Sequence, residues 1–149
     1  LGFEASMLNR SNLKELIQKI SNEIKKIKPD TIFSPYLHDS HSDHFFCTYA
    51  LNHILKTFRY PFIKEVYIYE TISETNFNYK KKSFKPNTWI NINKHLLNKI
   101  KIMKIYKSEI KKHPFPRSED AIKSLAILRG AEANFKYAEA FLSIKKIID

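Results

Sequence analysis

Between Ser11 and Ile27, apolar residues recur at Leu13, Leu16, Ile17, Ile20, Ile24 and Ile27. This spacing winds a single apolar stripe onto a helix, with Ser11 or Asn9 placed to cap it. Pro29-Asp30 stops the helix, and Thr31-Ile32-Phe33-Ser34 follows as a short buried strand closed by Pro35. A stripe that must cover something, leading straight into a β-branched strand, is the repeating unit of layered α/β folds. This feature constrains the chain most, because the same alternation continues downstream.

From about Ser42 to Phe58 the pattern is again helical, with Phe46, Tyr49, Ala50, His53 and Ile54 near one face. Glu65 to Thr71 is β-branched and aromatic with no breaker, the clearest strand in the chain. Ser73 to Asn87 is polar, Lys-rich and irregular, and Thr88 to Ile92 reads as another strand. A helix is expected over Lys94 to Ser108 with Leu96, Leu97, Ile100 and Met103 inward. His113-Pro114-Phe115-Pro116-Arg117 is a rigid connector, since two prolines fix φ. Ser118 is a good N-cap for a last helix, Glu119 and Asp120 suit its dipole, and Gly130 lies near its expected end. Tyr137 to Ile147 reads both ways: Ala138, Ala140, Leu142 and Ile144 alternate as in a strand, while the Ala, Glu and Lys content favours a helix; a strand with a frayed end is the expectation. The expected class is α/β with a layered sheet, in one domain over residues 1–149, without repeat or linker.

Composition narrows the function. Two glycines in 149 residues exclude the Gly-rich phosphate loops. The net charge of +11 is spread over lysine pairs and triplets such as Lys25-Lys26, Lys80-Lys81-Lys82 and Lys111-Lys112. Without a basic block or a nucleic-acid motif, it reads as a solvated surface. Cys47 is the single cysteine, so no disulfide or Cys-based zinc motif can be written, and its aromatic surroundings suit a buried thiol better than a nucleophile. No apolar run is long enough to span a membrane and no secretory signal is visible, which makes a cytoplasmic location the expectation.

Three of the six histidines fall within the seven residues His38 to His44, with Asp39 and Asp43 between them. The cluster follows a strand and precedes a helix, where α/β folds place their ligands. Imidazole and carboxylate are zinc donors, and a catalytic zinc needs three protein ligands plus a position open to water. His41 and His44 supply at most two. Either His38 or Asp39 completes the set, or the remaining ligands come from elsewhere. His53, at helical spacing, reads as a core or boundary residue, while His95 and His113 suggest nothing specific.

Pro29-Asp30-Thr31-Ile32-Phe33-Ser34-Pro35 followed by His41-Ser42-Asp43-His44 resembles the LmbE/PIG-L deacetylases, in which such a strand leads into a His-x-Asp-His motif. Pro86-Asn87-Thr88-Trp89-Ile90-Asn91-Ile92 resembles a second family segment, with Asn91 in place of the usual acid. Arg129-Gly130 and Tyr137-Ala138-Glu139-Ala140-Phe141 resemble its carboxyl-terminal signature. The resemblance implies a Rossmann-like α/β fold and a zinc-dependent hydrolase that removes the acetyl group from an N-acetylglucosamine-containing substrate. It implies His44 as a zinc ligand and His41 as the group that stabilises the oxyanion or assists the leaving amine. Asp43 would orient a histidine. Apart from the resemblance, Asp39 and Arg117 are candidates to contact the substrate. The family's amino-terminal His-Pro-Asp-Asp motif, which carries two ligands and the base, occurs nowhere in this sequence. The expectation is therefore an amino-terminally truncated deacetylase domain, inactive alone, with exposed apolar sheet surface and self-association into a homo-oligomer. Its expected partner is an N-acetylated amino sugar, with no nucleic acid and no stable membrane insertion. The competing readings are a catalytically dead remnant acting as an interaction protein, and a basic nucleic-acid-binding module that uses the aromatic and Lys-rich stretch Asn76 to Phe84.

Overall fold

The computed structural model describes residues 1–79 and 82–148; Lys80 and Lys81 of the lysine triplet lie outside the described residues. The elements run α1 (Leu13–Ile27), β1 (Thr31–Pro35), α2 (Ser42–Ile54), β2 (Glu65–Tyr69), β3 (Thr88–Asn91), α3 (Leu96–Met103), α4 (Glu119–Glu132) and β4 (Ala138–Lys146). The strands form a mixed four-stranded sheet in the order β1-β2-β4-β3. The chain divides into two compact units, residues 1–85 with 142–149, and residues 86–141.

In the first unit, the stripe of α1 does what its spacing predicts over most of its length. Leu16 and Ile24 are buried, with Ile17 and Ile20 packed beside them. Ile27, the last member of the stripe, is exposed. The cap differs from expectation. Neither Ser11 nor Asn9 occupies it, and Asn12 does so without a side-chain cap bond. Its Oδ1 turns back to accept the Asn9 backbone N–H at 2.9 Å. Lys28 closes the helix in the left-handed region (φ 51°), donating to Ile24 O before Pro29. Leu51, Ile54, Tyr60, Ile63 and Val66 join Ile24 in one core cluster. Fully buried side chains such as Leu16, Ile54, Ile63 and Val66 each contribute about 1.5–3 kcal/mol.

β1 and β2 are parallel, in register from Thr31 opposite Glu65 to Pro35 opposite Tyr69. β1 is an edge strand, so the expectation that it is buried holds for only one of its faces. Ser34 is covered, whereas Phe33 is 53% exposed and stacks on Tyr67 with ring centroids 5.4 Å apart. In α2 the buried residues are Thr48, Ala50, Leu51 and Ile54. Tyr49 and His53, expected near the inward face, are exposed, and the ring of His53 edges onto that of Tyr49.

In the second unit, β3 and β4 are antiparallel, with Thr88 opposite Phe141 and Asn91 opposite Ala138. The alternation at the carboxyl end is thus a strand in fact. Ser118 caps α4 as expected, its Oγ accepting the Ala121 N–H at 3.2 Å. Ile122, Ala126 and Gly130, spaced four apart, form its buried face. Gly130 lies in the last turn of the helix, near its end as expected. A Cβ there would stand 2.5 Å from the carbonyl oxygen of Phe135. The glycine is therefore required by close approach of the backbone, and Asn134 (φ 58°) takes the left-handed turn after the helix. α3 is shorter than its periodicity predicts. Leu96 and Ile100 point inward, but Leu97 is 82% exposed.

Candidate functional site

Because β1 and β2 are parallel and in register, their carboxyl ends deliver two loops to the same edge of the first unit, residues 36–41 and 70–79. Side chains fasten this edge. Thr48 Oγ1, from α2, donates to Pro35 O at 2.7 Å and lies 2.8 Å from Ser34 Oγ. With its own hydrogen committed to the carbonyl, Thr48 accepts the hydroxyl hydrogen of Ser34. Ser40 joins the two loops: its N–H donates to Glu74 O at 3.2 Å and its Oγ to a Glu74 carboxylate oxygen at 2.7 Å.

Asp39 is the centre of the arrangement. Only 3% of it is exposed, and its two oxygens are used separately. Oδ1 accepts the hydroxyl of Thr75 at 2.6 Å, and Oδ2 lies 2.7 Å from His44 Nδ1. A carboxylate only accepts, so the hydrogen of His44 sits on Nδ1 and the lone pair of Nε2 is left for another partner. The carboxylate thereby fixes the orientation and the tautomer of the imidazole.

His41 is held in the opposite sense. It is the N-cap of α2, and its Nδ1 accepts the backbone N–H of Asp43 at 3.1 Å. A ring nitrogen here does what an Asn or Asp oxygen usually does for the first turn of a helix. The hydrogen of a neutral His41 therefore sits on Nε2. The two rings stack with centroids 5.0 Å apart and planes 22° from parallel. Two adjacent imidazoles thus present one Nε2 acceptor, on His44, and one Nε2–H donor, on His41.

Several expected roles change. Asp43 was expected to orient a histidine, and its backbone N–H does hold His41, but its carboxylate has another task. That carboxylate instead accepts the backbone N–H groups of Ser6 at 2.7 Å and Leu8 at 3.1 Å, tying down the segment before α1. Asp43 holds His41 through its backbone N–H alone, because a helix start leaves that donor unpaired. Asp39 was expected at the substrate; its side chain is fully covered and serves His44. Arg117 belongs to the second unit, where its Nε donates to Glu109 O at 2.9 Å and its guanidinium lies over the Phe115 ring. His38 packs edge-on against Tyr36. Sequence reasoning missed Thr75 and Thr48. Thr75 reaches Asp39 from 36 residues away, and no local pattern marks such a pairing.

Burial and charge act on the phenols and the thiol near this edge. Burial, and then the Asp39 carboxylate, push the hydroxyls of Tyr36 and Tyr69 up from the ordinary value. Burial, and then Asp43, push the Cys47 thiol up as well, the condition of an inert thiol.

The fit to zinc is partial. His44 Nε2 has the lone pair and the backing carboxylate of a ligand. Asp39, one of the two residues expected to complete the set, has both oxygens occupied. Among the described residues, no group of three or more His, Cys, Asp or Glu is placed to hold a metal ion. These residues therefore do not complete a zinc site.

No family model matches the chain. Solved structures do resemble it. A conserved protein of Thermus thermophilus superposes with a TM-score of 0.76 at 19% identity, over 100% of this chain and 66% of that one. The N,N'-diacetylchitobiose deacetylase of Pyrococcus horikoshii superposes with a TM-score of 0.74 at 17% identity, over 96% of this chain and 55% of that one. The 4-carboxy-2-hydroxymuconate hydratase of Pseudomonas putida gives 0.63 at 17% identity, over 91% and 60%. The likeness is one of fold: this chain has the mixed α/β architecture shared by a deacetylase and a hydratase. It spans between about half and two thirds of the length of each of these proteins. No helix among the described residues is long and apolar enough to cross a membrane.

Proposed function

We propose that this chain carries the histidine half of a hydrolase site that removes the acetyl group from an N-acetylated amino sugar. The observation that carries the reading is the His41–His44 pair, two stacked rings whose tautomers are set in opposite senses by Asp39 and by the Asp43 backbone. Amide hydrolysis needs a group that accepts or ligates and, beside it, a donor aimed at the developing oxyanion. His44 Nε2 suits the first task and the Nε2–H of His41 the second. Such a donor contributes roughly 3 kcal/mol to the transition state.

Zinc is part of the proposal only through His44, which would supply one ligand. The described residues themselves do three things. Asp39 and Thr75 keep the His44 hydrogen on Nδ1 and the lone pair on Nε2, the α2 terminus keeps the His41 hydrogen on Nε2, and Ser40–Glu74 holds the two loops together. The fold of the Pyrococcus deacetylase supports this reading.

The test is acetate release from N,N'-diacetylchitobiose by the gene product that carries this chain. His44→Ala should abolish release, and His41→Ala should lower kcat by about a hundredfold or more. Nitrogen-detected NMR should find the proton on Nδ1 of His44 and on Nε2 of His41. Unchanged rates in both variants, or a shared tautomer, would sink the proposal.

A further inference from the structure

The second unit exposes a surface that the proposed chemistry does not use. α3 turns Leu96 and Ile100 inward, half-buries Met103 and leaves its other side chains exposed. Leu97 (82%), Ile102 (54%), Ile105 (71%) and Tyr106 (59%) are all exposed within ten residues of chain. His95, Asn98, Lys99, Ile102, Met103 and Tyr106 line an open, mostly apolar hollow of about 410 Å³ on one flank of α3, and Leu97 lies on its other flank. Lysines are interleaved with it. Lys94, Lys101, Lys107 and Lys112 are exposed and pair with no acid among the described residues, whereas Lys99 and Lys104 are paired with Glu139 and Glu119.

We infer that this face of α3 and the turn after it, residues 94–112, docks reversibly on a bilayer surface rich in anionic lipid. The charge pattern selects this occupant. A short amphipathic element with large aliphatic and aromatic groups set among lysines sinks its apolar side chains to the acyl boundary, while its ammonium groups meet lipid phosphates. A second copy of the chain, placed face to face, would set the same four lysines against one another. A nucleic acid would engage the lysines but leave Leu97, Ile102 and Ile105 in water. Of these three, the anionic bilayer satisfies both the charge and the apolar groups.

The experiment is sedimentation of the intact chain with vesicles of phosphatidylcholine alone, and with vesicles in which about one third of the lipid is phosphatidylserine. Binding is expected to the second kind only. Lys94→Glu, Lys101→Glu and Lys107→Glu together should weaken it on the order of a hundredfold. Leu97→Asp with Ile105→Asp should weaken it by about tenfold or more. All five positions are exposed, so circular dichroism should show the fold retained in both variants. Three results would overturn the inference: no binding to phosphatidylserine vesicles, equal binding by all three proteins, or an oligomer that the Leu97 and Ile105 changes dissociate. An oligonucleotide that binds with full dependence on the lysines and none on Leu97 and Ile105 would reassign the face to nucleic acid.

Discussion

Asp39 and Leu97 both sit against the usual rule, in opposite directions. At Asp39 a carboxylate is taken out of water, and at Leu97 a leucine is left in it. The first arrangement is tolerated because every lone pair that matters has a donor: His44 on one oxygen and Thr75 on the other. The second needs no partner within the chain, because an exposed apolar side chain costs little in the folded monomer. These are two kinds of unusual residue. The buried polar one is held by a network and fails when any member is removed. The exposed apolar one can be changed freely without harm to the fold, so its effects should appear only when a partner is present.

The buried network is most vulnerable at Asp39. Asp39→Ala should destabilise the chain by about 3 kcal/mol in urea unfolding, since it leaves His44 Nδ1–H and the Thr75 hydroxyl without their acceptor. A loss below about 1 kcal/mol would mean that the network is not what holds the two loops. Next comes a contrast within α3. Leu96→Ala should cost about 2–4 kcal/mol, and its neighbour Leu97→Ala less than about 0.5 kcal/mol, both read as shifts in the unfolding midpoint. Equal losses would show that Leu97 is covered in solution. A smaller effect is expected at Ser118, the cap of α4: Ser118→Ala should cost about 1 kcal/mol, seen as a lower Tm.

The smallest effect concerns pH. The folded state raises the thiol of Cys47 and the phenols of Tyr36 and Tyr69, through burial first and nearby carboxylates second. A group whose pKa is raised on folding contributes stability below its unfolded pKa and loses it as pH rises through the folded one. Stability should therefore decline above the ordinary thiol and phenol values of 9.0 and 10.0. Cys47→Ala should soften the start of that decline. Native Cys47 should also react with iodoacetamide more slowly at pH 8 than the unfolded chain does, a difference read by mass spectrometry.

Much of the fold was legible because its signals are local. The stripe of α1, the stop at Pro29, the β-branched run of β2, the Ser118 cap and the alternation of β4 each depend on residues a few positions apart. The same periodicity misjudged Leu97, Tyr49 and His53. A helical pattern says which residues share a face; how much of that face is covered depends on what packs against it. At the site, the cluster His38 to His44 was visible as a density of imidazoles and carboxylates. The roles within it were not. Asp39 and Asp43 look interchangeable on either side of His41, yet one is buried against His44 and the other is engaged by Ser6 and Leu8.

Taken alone, the sequence determined the order of helices and strands, the place of the histidine cluster after β1, and the resemblance to a deacetylase fold that solved structures share. These depend on side-chain type and short-range spacing, which a single strand of text contains. Only the tertiary structure decided which aspartate backs which histidine, why Gly130 admits no side chain, and which apolar residues of α3 stay outside. Each of those is set by an atom brought near from elsewhere in the chain, or by the absence of one. Thr75 reaches Asp39 from 36 residues away, the Phe135 carbonyl closes over Gly130, and no described element covers Leu97.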